Sequence, residues 1–419
     1  MNAVSPVQPR VQPKTDWGSV AQLAFCGLAF LVFFSLAGIM GLSGISALSD
    51  QSASANAPAS FSLATGYLLI AGLLALSTGS AFLRILGTRQ PAGLDRARQG
   101  LDKPLLWLIL LWPAVLLVGF FVANIPAISW ILLPPLHVLA VSLPVVWLVH
   151  YGRRGLPTGS FQRLLGVLSA GMAGSFFLAL VSELAAIVVI MVIALVIVAA
   201  NPSATLQLNF LIQRLMNSNM DPEVVTRALQ PYLRNPLVIF GGLAFICGCV
   251  PMIEEFFKPL AVWLIGRKLL TPAEGFAVGL LAGGGFALNE SLGQVVTSSG
   301  SDWMRVEFLR GGTDLLHIVT AGLMGWALVS AWRGGKAWRL GLVYLGVILM
   351  HGTWNALALG YGLAPFLSFS PASLPYFQSI GMIAPFGLGM LFVFMFILLF
   401  RMNHNLRAGN IERKQNADY

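Results

Sequence analysis

Charged residues are scarce in this 419-residue sequence: Asp, Glu, Lys and Arg together make up 10% of the chain, whereas 57% of the residues are hydrophobic. Soluble domains average roughly 25% charged residues, so a chain this apolar lacks the polar surface to cover itself in water. Cysteine is also rare, and Cys26, Cys247 and Cys249 lack the spacing of a disulfide framework or a zinc finger. Lipid is therefore the predicted solvent.

Apolar runs long enough to cross a bilayer account for most of the chain. A transmembrane helix needs about 20 apolar residues, and the run that starts near Gly18 is too long for the core of a signal peptide. The predicted fold class is all-α, a polytopic bundle of about ten transmembrane helices. The predicted spans are 18–46, 61–87, 104–124, 129–151, 164–200, 236–266, 272–298, 307–332, 338–364 and 376–400.

Basic residues are distributed unevenly between the predicted loops. With the N-terminus inside, 19 of the 25 Lys and Arg residues fall in cytoplasmic segments and four outside, as the positive-inside rule requires. This topology places both termini in the cytoplasm. It also accounts for the formal net charge of +9, so we predict lipid as a partner and no nucleic acid.

Ionisable residues are rare in the first four predicted helices and frequent in the later ones. We therefore predict an accessory four-helix region over 1–160, a functional core over 161–365, and a final helix with a basic cytoplasmic tail over 366–419. Among the remaining polar residues within spans, His137 and His150 are interpreted as structural, and Glu183 has no matching partner in the sequence.

Five ionisable residues lie within four consecutive predicted spans, where a charge costs about 2.5–3.5 kcal/mol unless it is paired, hydrated or used. They are Glu254, Glu255, Glu290, His317 and His351. At a rise of about 1.5 Å per residue, all five fall within one or two helical turns of the membrane midplane. This depth predicts one shared cavity.

The sixth span carries two adjacent acids and a lysine between flanking prolines. Lys258 lies four residues after Glu254 and three after Glu255, so it can pair with either carboxylate. Because adjacent side chains point about 100° apart on a helix, we expect one carboxylate to face a water while the other pairs with Lys258. The prolines remove backbone donors and predict a kink.

The seventh span presents a face of small residues. Gly275, Gly279 and Gly283 recur every four residues, which lets a neighbouring helix approach closely. Phe286 and Glu290 continue this face. The pattern predicts that Glu290 lies at a tight helix–helix contact and not against lipid.

The eighth and ninth spans carry the remaining polar residues. Arg310, Asp314 and His317 share one face of the eighth helix, where Arg310 and Asp314 are predicted to pair. His351 and Asn355, four residues apart, share one face of the ninth helix.

Read together, these residues resemble the PrsW family of intramembrane proteases, which is related to the CAAX-type prenyl-protein proteases. The resemblance rests on Glu254-Glu255-x-x-Lys258, Phe286-x-x-x-Glu290, Arg310 followed by His317, and His351-x-x-x-Asn355. It covers about residues 160–365. The CAAX branch typically has His in place of Glu290 and Arg in place of Lys258, so the pattern favours the PrsW branch.

The resemblance implies a protease of the bacterial cell membrane that cleaves a membrane-associated protein, in regulated proteolysis during stress signalling. As a mechanism, we hypothesise that Glu254 or Glu255 activates water while Glu290 orients a histidine. His317, His351 and Asn355 would polarise the substrate carbonyl.

A metal version is equally compatible with the sequence. Glu290, His317 and His351 would then hold a divalent ion such as zinc, since two histidines and one carboxylate form a typical catalytic zinc set. Two other classes use similar residues: a proton-coupled transporter, in which buried acids relay protons, and a non-catalytic membrane scaffold.

Overall fold

The computed structural model describes residues 16–50, 54–87, 105, 107–157, 159–217, 221–233, 235–269, 271–295, 300–367 and 374–415. Within these ranges the chain forms helices and no strand, which confirms the predicted all-α class. We number twelve helices in chain order. They are α1 (Trp17–Ser49), α2 (Ala57–Ile85), α3 (Trp112–Ala123), α4 (Pro126–Gly152), α5 (Phe161–Ala199), α6 (Pro202–Asn217), α7 (Pro222–Leu233), α8 (Pro236–Ile265), α9 (Pro272–Leu292), α10 (Gly300–Gly334), α11 (Ala337–Leu367) and α12 (Leu374–Gln415).

Eight of the ten predicted spans form helices that are long and apolar enough to cross a membrane. The other two also form helices in the described part of the chain, but α3 is short, with 12 residues, and α9 is rich in glycine. Helices α6 and α7 are the additional elements and lie between the fifth and sixth predicted spans. The protein is therefore an integral membrane helix bundle.

Helix α9 lies at the centre of this bundle. Eighteen of its 21 residues are buried, and it packs along α10 and against α4 and α5. A capping box fixes its start, because the Thr271 hydroxyl accepts from the Glu274 amide and the Glu274 carboxylate accepts from the Thr271 amide. The helix ends at Leu292, six residues before the predicted boundary, so Glu290 lies in its last turn.

The small face of α9 explains this central position. A side chain at Gly279 would overlap the Ala321 carbonyl of α10, and one at Gly283 would overlap the His317 carbonyl. Glycine at these positions therefore allows backbone contact between the two helices. The same packing brings Glu290 of α9 and His317 of α10 together.

Two of the long helices contain π-helical turns, at Ala170–Ser175 in α5 and at Phe245–Cys249 in α8. A π turn frees a backbone carbonyl from the regular ladder. In each case an asparagine side chain of another helix donates to a carbonyl of the turn: Asn289 to Met172 O at 2.7 Å, and Asn355 to Ile246 O at 3.0 Å. These turns are thus fixed by neighbouring helices.

Candidate active site

Helix α8 is interrupted by a turn at Lys258 and Pro259. Here one lysine lies between two glutamates. Lys258 closes the last turn before Pro259 and is fully buried. Its Nζ lies 2.6 Å from Glu255 Oε1 and 3.0 Å from Glu254 Oε2. We expected one carboxylate to pair with the lysine and the other to face a water; in the structure both carboxylates contact the lysine. A single cation therefore balances the charge of both acids in part.

Glu255 also holds His351 of α11 in one orientation. His351 Nδ1 lies 2.8 Å from Glu255 Oε1, so this nitrogen is assigned as the N–H donor. The other ring nitrogen, Nε2, lies 3.9 Å from Glu254 Oε2. A carboxylate that fixes a histidine tautomer in this way leaves the second nitrogen free to bind a metal or a water.

Glu290 lies against His317 of α10, on the side of the ring away from Glu254. Its Oε2 lies 2.6 Å from His317 Nε2, and His317 Nδ1 then lies 4.0 Å from Glu254 Oε2. The two imidazole rings are 5.5 Å apart. Both histidines therefore direct one nitrogen towards the same oxygen of Glu254, while Glu255 and Glu290 occupy the opposite nitrogens.

Phe286 closes the side of this cluster that faces α9. Its ring makes an edge contact with His317 at 5.1 Å, and Lys258 Nζ lies 5.0 Å from its centroid. A cation over an aromatic face is stabilised by the ring quadrupole. Phe286 thus packs on the histidine and supports the lysine charge where water is excluded.

Arg310 balances Glu290 on the other side. Arg310 Nη2 lies 3.1 Å from Glu290 Oε1, and its Nη1 donates to Gln294 at 3.2 Å. We predicted that Arg310 pairs with Asp314; instead, Ser291 lies between them and accepts from Arg310 while it donates to Asp314. Arg310 therefore points towards α9, whose close packing against α10 brings Glu290 within reach of the guanidinium.

Asn355 lies one turn from His351. Its side-chain amide donates a hydrogen bond to the backbone of α8, at Ile246 O. The chain approaches closely here, since a side chain at Gly352 would overlap the Cys247 carbonyl. Asn355 therefore fixes the π turn beside the site.

One set of ligand atoms in the described part of the chain has the spacing of a metal site. A Glu254 oxygen and one nitrogen each of His317 and His351 lie within 4.8 Å of one another, and all three residues are buried. Our sequence hypothesis placed Glu290 in this set. In the structure Glu290 lies behind His317, and Glu254 is the carboxylate that faces both histidines.

The chemistry of this cluster fits a cation. It contains three glutamates but only one lysine and one arginine among the contacts described above, and a buried excess of carboxylate favours a bound metal. Neither ring nitrogen of His317 makes a hydrogen bond within the described part of the chain, whereas nearly all buried polar atoms in proteins have one. Two neutral imidazoles and a carboxylate suit zinc.

Two features of the site were missed in the sequence. Ser291 and Gln294 both accept hydrogen bonds from Arg310. The spacing on α9 could have indicated this, because both residues follow Glu290 within about one turn. Glu183 of α5 interacts electrostatically with Glu254, Glu290 and Lys258, and only the packing of α5 on α8 reveals this.

His137 was predicted to be structural, but its partner was not predicted. The residue is buried, with its Nδ1 2.6 Å from Glu307 Oε1. Glu307 lies on the same helix face as Arg310 and Asp314, which follow it by three and seven residues. This periodicity could have indicated that Glu307 faces the protein interior.

Comparison with known proteins identifies the family of this chain. Residues 161–400, more than half of the chain, match the model of the PrsW family of intramembrane metalloproteases. The match extends beyond the predicted core to include most of α12. No curated protein and no solved structure matches the chain. The chain therefore belongs to the PrsW family and is an intramembrane metalloprotease, an endopeptidase that acts on a membrane-associated substrate.

Proposed function

We propose that Glu254, His317 and His351 hold the catalytic metal, with zinc as the expected ion. The observation that carries this proposal is that one ligand atom of each residue converges on one point, while Glu255 and Glu290 lie against the outer nitrogens of the two histidines. When bound, a metal at this position would supply an activated water and a Lewis acid for the peptide carbonyl.

The chain's own residues perform the supporting work. Glu255 and Glu290 hold the imidazole protons on the far nitrogens, so that the near nitrogens act as acceptors. Lys258 and Arg310 neutralise part of the carboxylate charge, which keeps the cluster stable away from water. In a metal-free version of the reaction, Glu254 would take the proton of a water directly.

We also propose that the scissile bond lies towards the membrane surface at which α9 ends. Glu290 is two residues before that end, and Gln294, which binds Arg310, is exposed beyond it. On the predicted topology this side is extracytoplasmic, and both termini are cytoplasmic. The family resemblance supports a role in regulated proteolysis during stress signalling, in a bacterial cell membrane.

The test combines metal analysis with cleavage of a co-reconstituted single-span protein. Glu254→Gln is expected to lose bound zinc and to lower cleavage by a factor of roughly a hundred or more, since it removes a direct ligand. Glu255→Gln, which removes only the support of His351, is expected to weaken zinc binding about 10- to 100-fold. Full cleavage by Glu254→Gln would overturn the assignment.

Glu274→Gln provides the matched control, because it makes the same change on α9 at the capping box, outside the cluster. It is expected to retain zinc and activity. Cleavage by wild-type protein that contains no stoichiometric metal would contradict the metal site and favour the metal-free version, whereas loss of both zinc and cleavage in His351→Ala would support it.

A further inference from the structure

A second site lies at the opposite end of the helices from Gln294. A cavity of about 610 Å³ opens where four helix ends meet. These ends are the start of α1 after Asp16, the last turn of α2 with Arg84, the start of α5 after Ser160, and the end of α8 before Lys268. Helix ends that meet at one edge of a membrane bundle mark the depth of the lipid headgroups.

The rim of this cavity is basic. Arg84, Arg163 and Lys268 line it together with Asp16. Asp16 is already occupied, because it accepts from Ser19 and lies 3.0 Å from Arg84 Nε. The charges of Arg163 and Lys268 therefore exceed what the acid on the rim balances.

Arg163 packs against the backbone, and some N–H groups of its guanidinium have no acceptor among the described residues. A side chain at Gly159, whose φ is +81°, would collide with the Arg163 side chain, so the glycine lets the arginine lie close against the backbone. Its Nε and Nη2 atoms are buried and have no hydrogen-bond partner among the described residues. Leaving a buried charged donor unpaired is costly, which indicates that an anion completes the site.

The neighbouring polar side chains do not accept from Arg163, because they are hydrogen-bonded to one another. Gln162 donates to Ser19 Oγ at 2.8 Å and to Gln22 Oε1 at 3.2 Å, and Gln22 donates to Ser77 Oγ at 3.0 Å. These amides and hydroxyls satisfy one another and join α1, α2 and α5. The floor of the cavity is thus a built part of the fold.

Apolar side chains continue from the rim towards the membrane interior. Phe25 and Leu264 line the cavity and are 40% and 71% exposed, respectively, and Ala261 lies deeper on the same helix as Leu264. A charged rim above an exposed apolar wall matches a molecule with an anionic head and a hydrocarbon tail. A basic pocket between membrane helices is a known way to bind such a headgroup.

We propose that this basic cavity binds the phosphate of an anionic phospholipid, with Arg163 as the principal donor and Lys268 as the second cation. The guanidinium fork of Arg163 matches phosphate oxygens in a bidentate manner, whereas Lys268 acts as a point charge. The acyl chains lie along Phe25 and Leu264. Because Leu264 belongs to α8, the bound lipid joins the N-terminal helices to the helix that carries Glu254.

The experiment measures binding of phosphatidylglycerol to the purified full-length protein in detergent, by native mass spectrometry and by the shift in Tm. Parallel arms use phosphatidylcholine and inorganic phosphate. Wild-type protein is expected to retain phosphatidylglycerol in preference to phosphatidylcholine, and inorganic phosphate is expected to give no comparable shift. Equal effects of inorganic phosphate would show that the site takes a free anion, and equal binding of phosphatidylcholine would show that it lacks charge selectivity; either overturns the proposal.

The variants locate the binding. Arg163→Gln is expected to weaken phosphatidylglycerol binding roughly 10- to 100-fold, as loss of a charge-assisted contact implies. Arg401→Gln makes the same change at an exposed position of α12 and is expected to bind like wild type. If Arg163→Gln does not fold, Lys268→Gln decides, since Lys268 is exposed and makes no demand on folding. Unchanged binding in these rim variants would overturn the proposal.

Discussion

Helix α9 and the second part of α5 are both membrane helices of similar length, yet they differ in every other respect. In α9, 18 of 21 residues are buried and many are glycine. In Phe176–Ala199 of α5, all of which the structure describes, Ala179 is the one buried residue among 24 and the rest are mostly branched or aromatic apolar side chains. The helix that looks most like a membrane span is the one that faces lipid.

This difference shows what hydropathy measures. A helix surrounded by lipid must be apolar on all faces, whereas a helix surrounded by protein needs small residues for close approach and can carry polar groups that find partners. Helix α9 falls outside the spans that length and apolarity identify, although it supplies Phe286 and Glu290. In this protein, therefore, high hydropathy alone does not find every helix that contributes to the site.

The most severe test of the comparison places the same large side chain in both helices. Gly279→Leu is expected to prevent folding or lower Tm strongly, because even the first side-chain atom would overlap the Ala321 carbonyl, and a clash with backbone cannot be relieved by a rotamer change as ordinary overpacking can. Ala185→Leu, at an exposed position of α5, is expected to leave Tm within error. Thermal unfolding in detergent measures both, and equal Tm losses would contradict the assignment of α5 to lipid.

The order of the polar residues along the chain was enough to predict the cluster. Four motifs on consecutive helices, with glycines on one face, predicted that Glu254, Glu290, His317 and His351 meet, and the structure brings them together. This succeeded because burying ionisable groups in a membrane is so costly that they must share one polar environment.

The pairing within the cluster was not predictable in the same way. Arg310 was expected to pair with Asp314, and it contacts Glu290 instead. In the metal version of the hypothesis Glu290 was the expected carboxylate ligand, whereas Glu254 is the carboxylate that faces both histidines. Helical spacing identifies neighbours on one helix, but it does not give the rotation of one helix against another. That rotation is set by the contacts of Gly279 and Gly283 with α10.

The next largest effect is expected inside the cluster. Lys258→Met removes the cation shared by Glu254 and Glu255, and breaking a buried ion pair costs about 3–5 kcal/mol. Arg401→Met, an exposed cation, is expected to change stability by at most about 0.5 kcal/mol. Chemical denaturation in mixed micelles gives both free energies of unfolding.

A compensating variant separates charge balance from packing. Lys258→Met combined with Glu254→Gln and Glu255→Gln removes all three charges, so it is expected to recover most of the lost stability while cleavage stays absent. If the triple variant is as unstable as Lys258→Met, the lysine contributes through its shape and contacts, and charge balance is not its main role.

The smallest effect concerns the one acid on the lipid-facing part of α5. Glu183 is half-buried and interacts with the charges of Glu254, Glu290 and Lys258, so in its ionised form it adds negative potential to the site from a distance. Glu183→Gln is expected to weaken zinc binding about three- to tenfold, on the order of 1 kcal/mol, with Tm unchanged; zinc titration of the apoprotein measures it. Glu274→Gln is the control, with zinc affinity unchanged. Equal affinities in the two variants would mean that α5 only bounds the site, whereas a weaker Glu183→Gln shows that a lipid-facing helix also tunes the site.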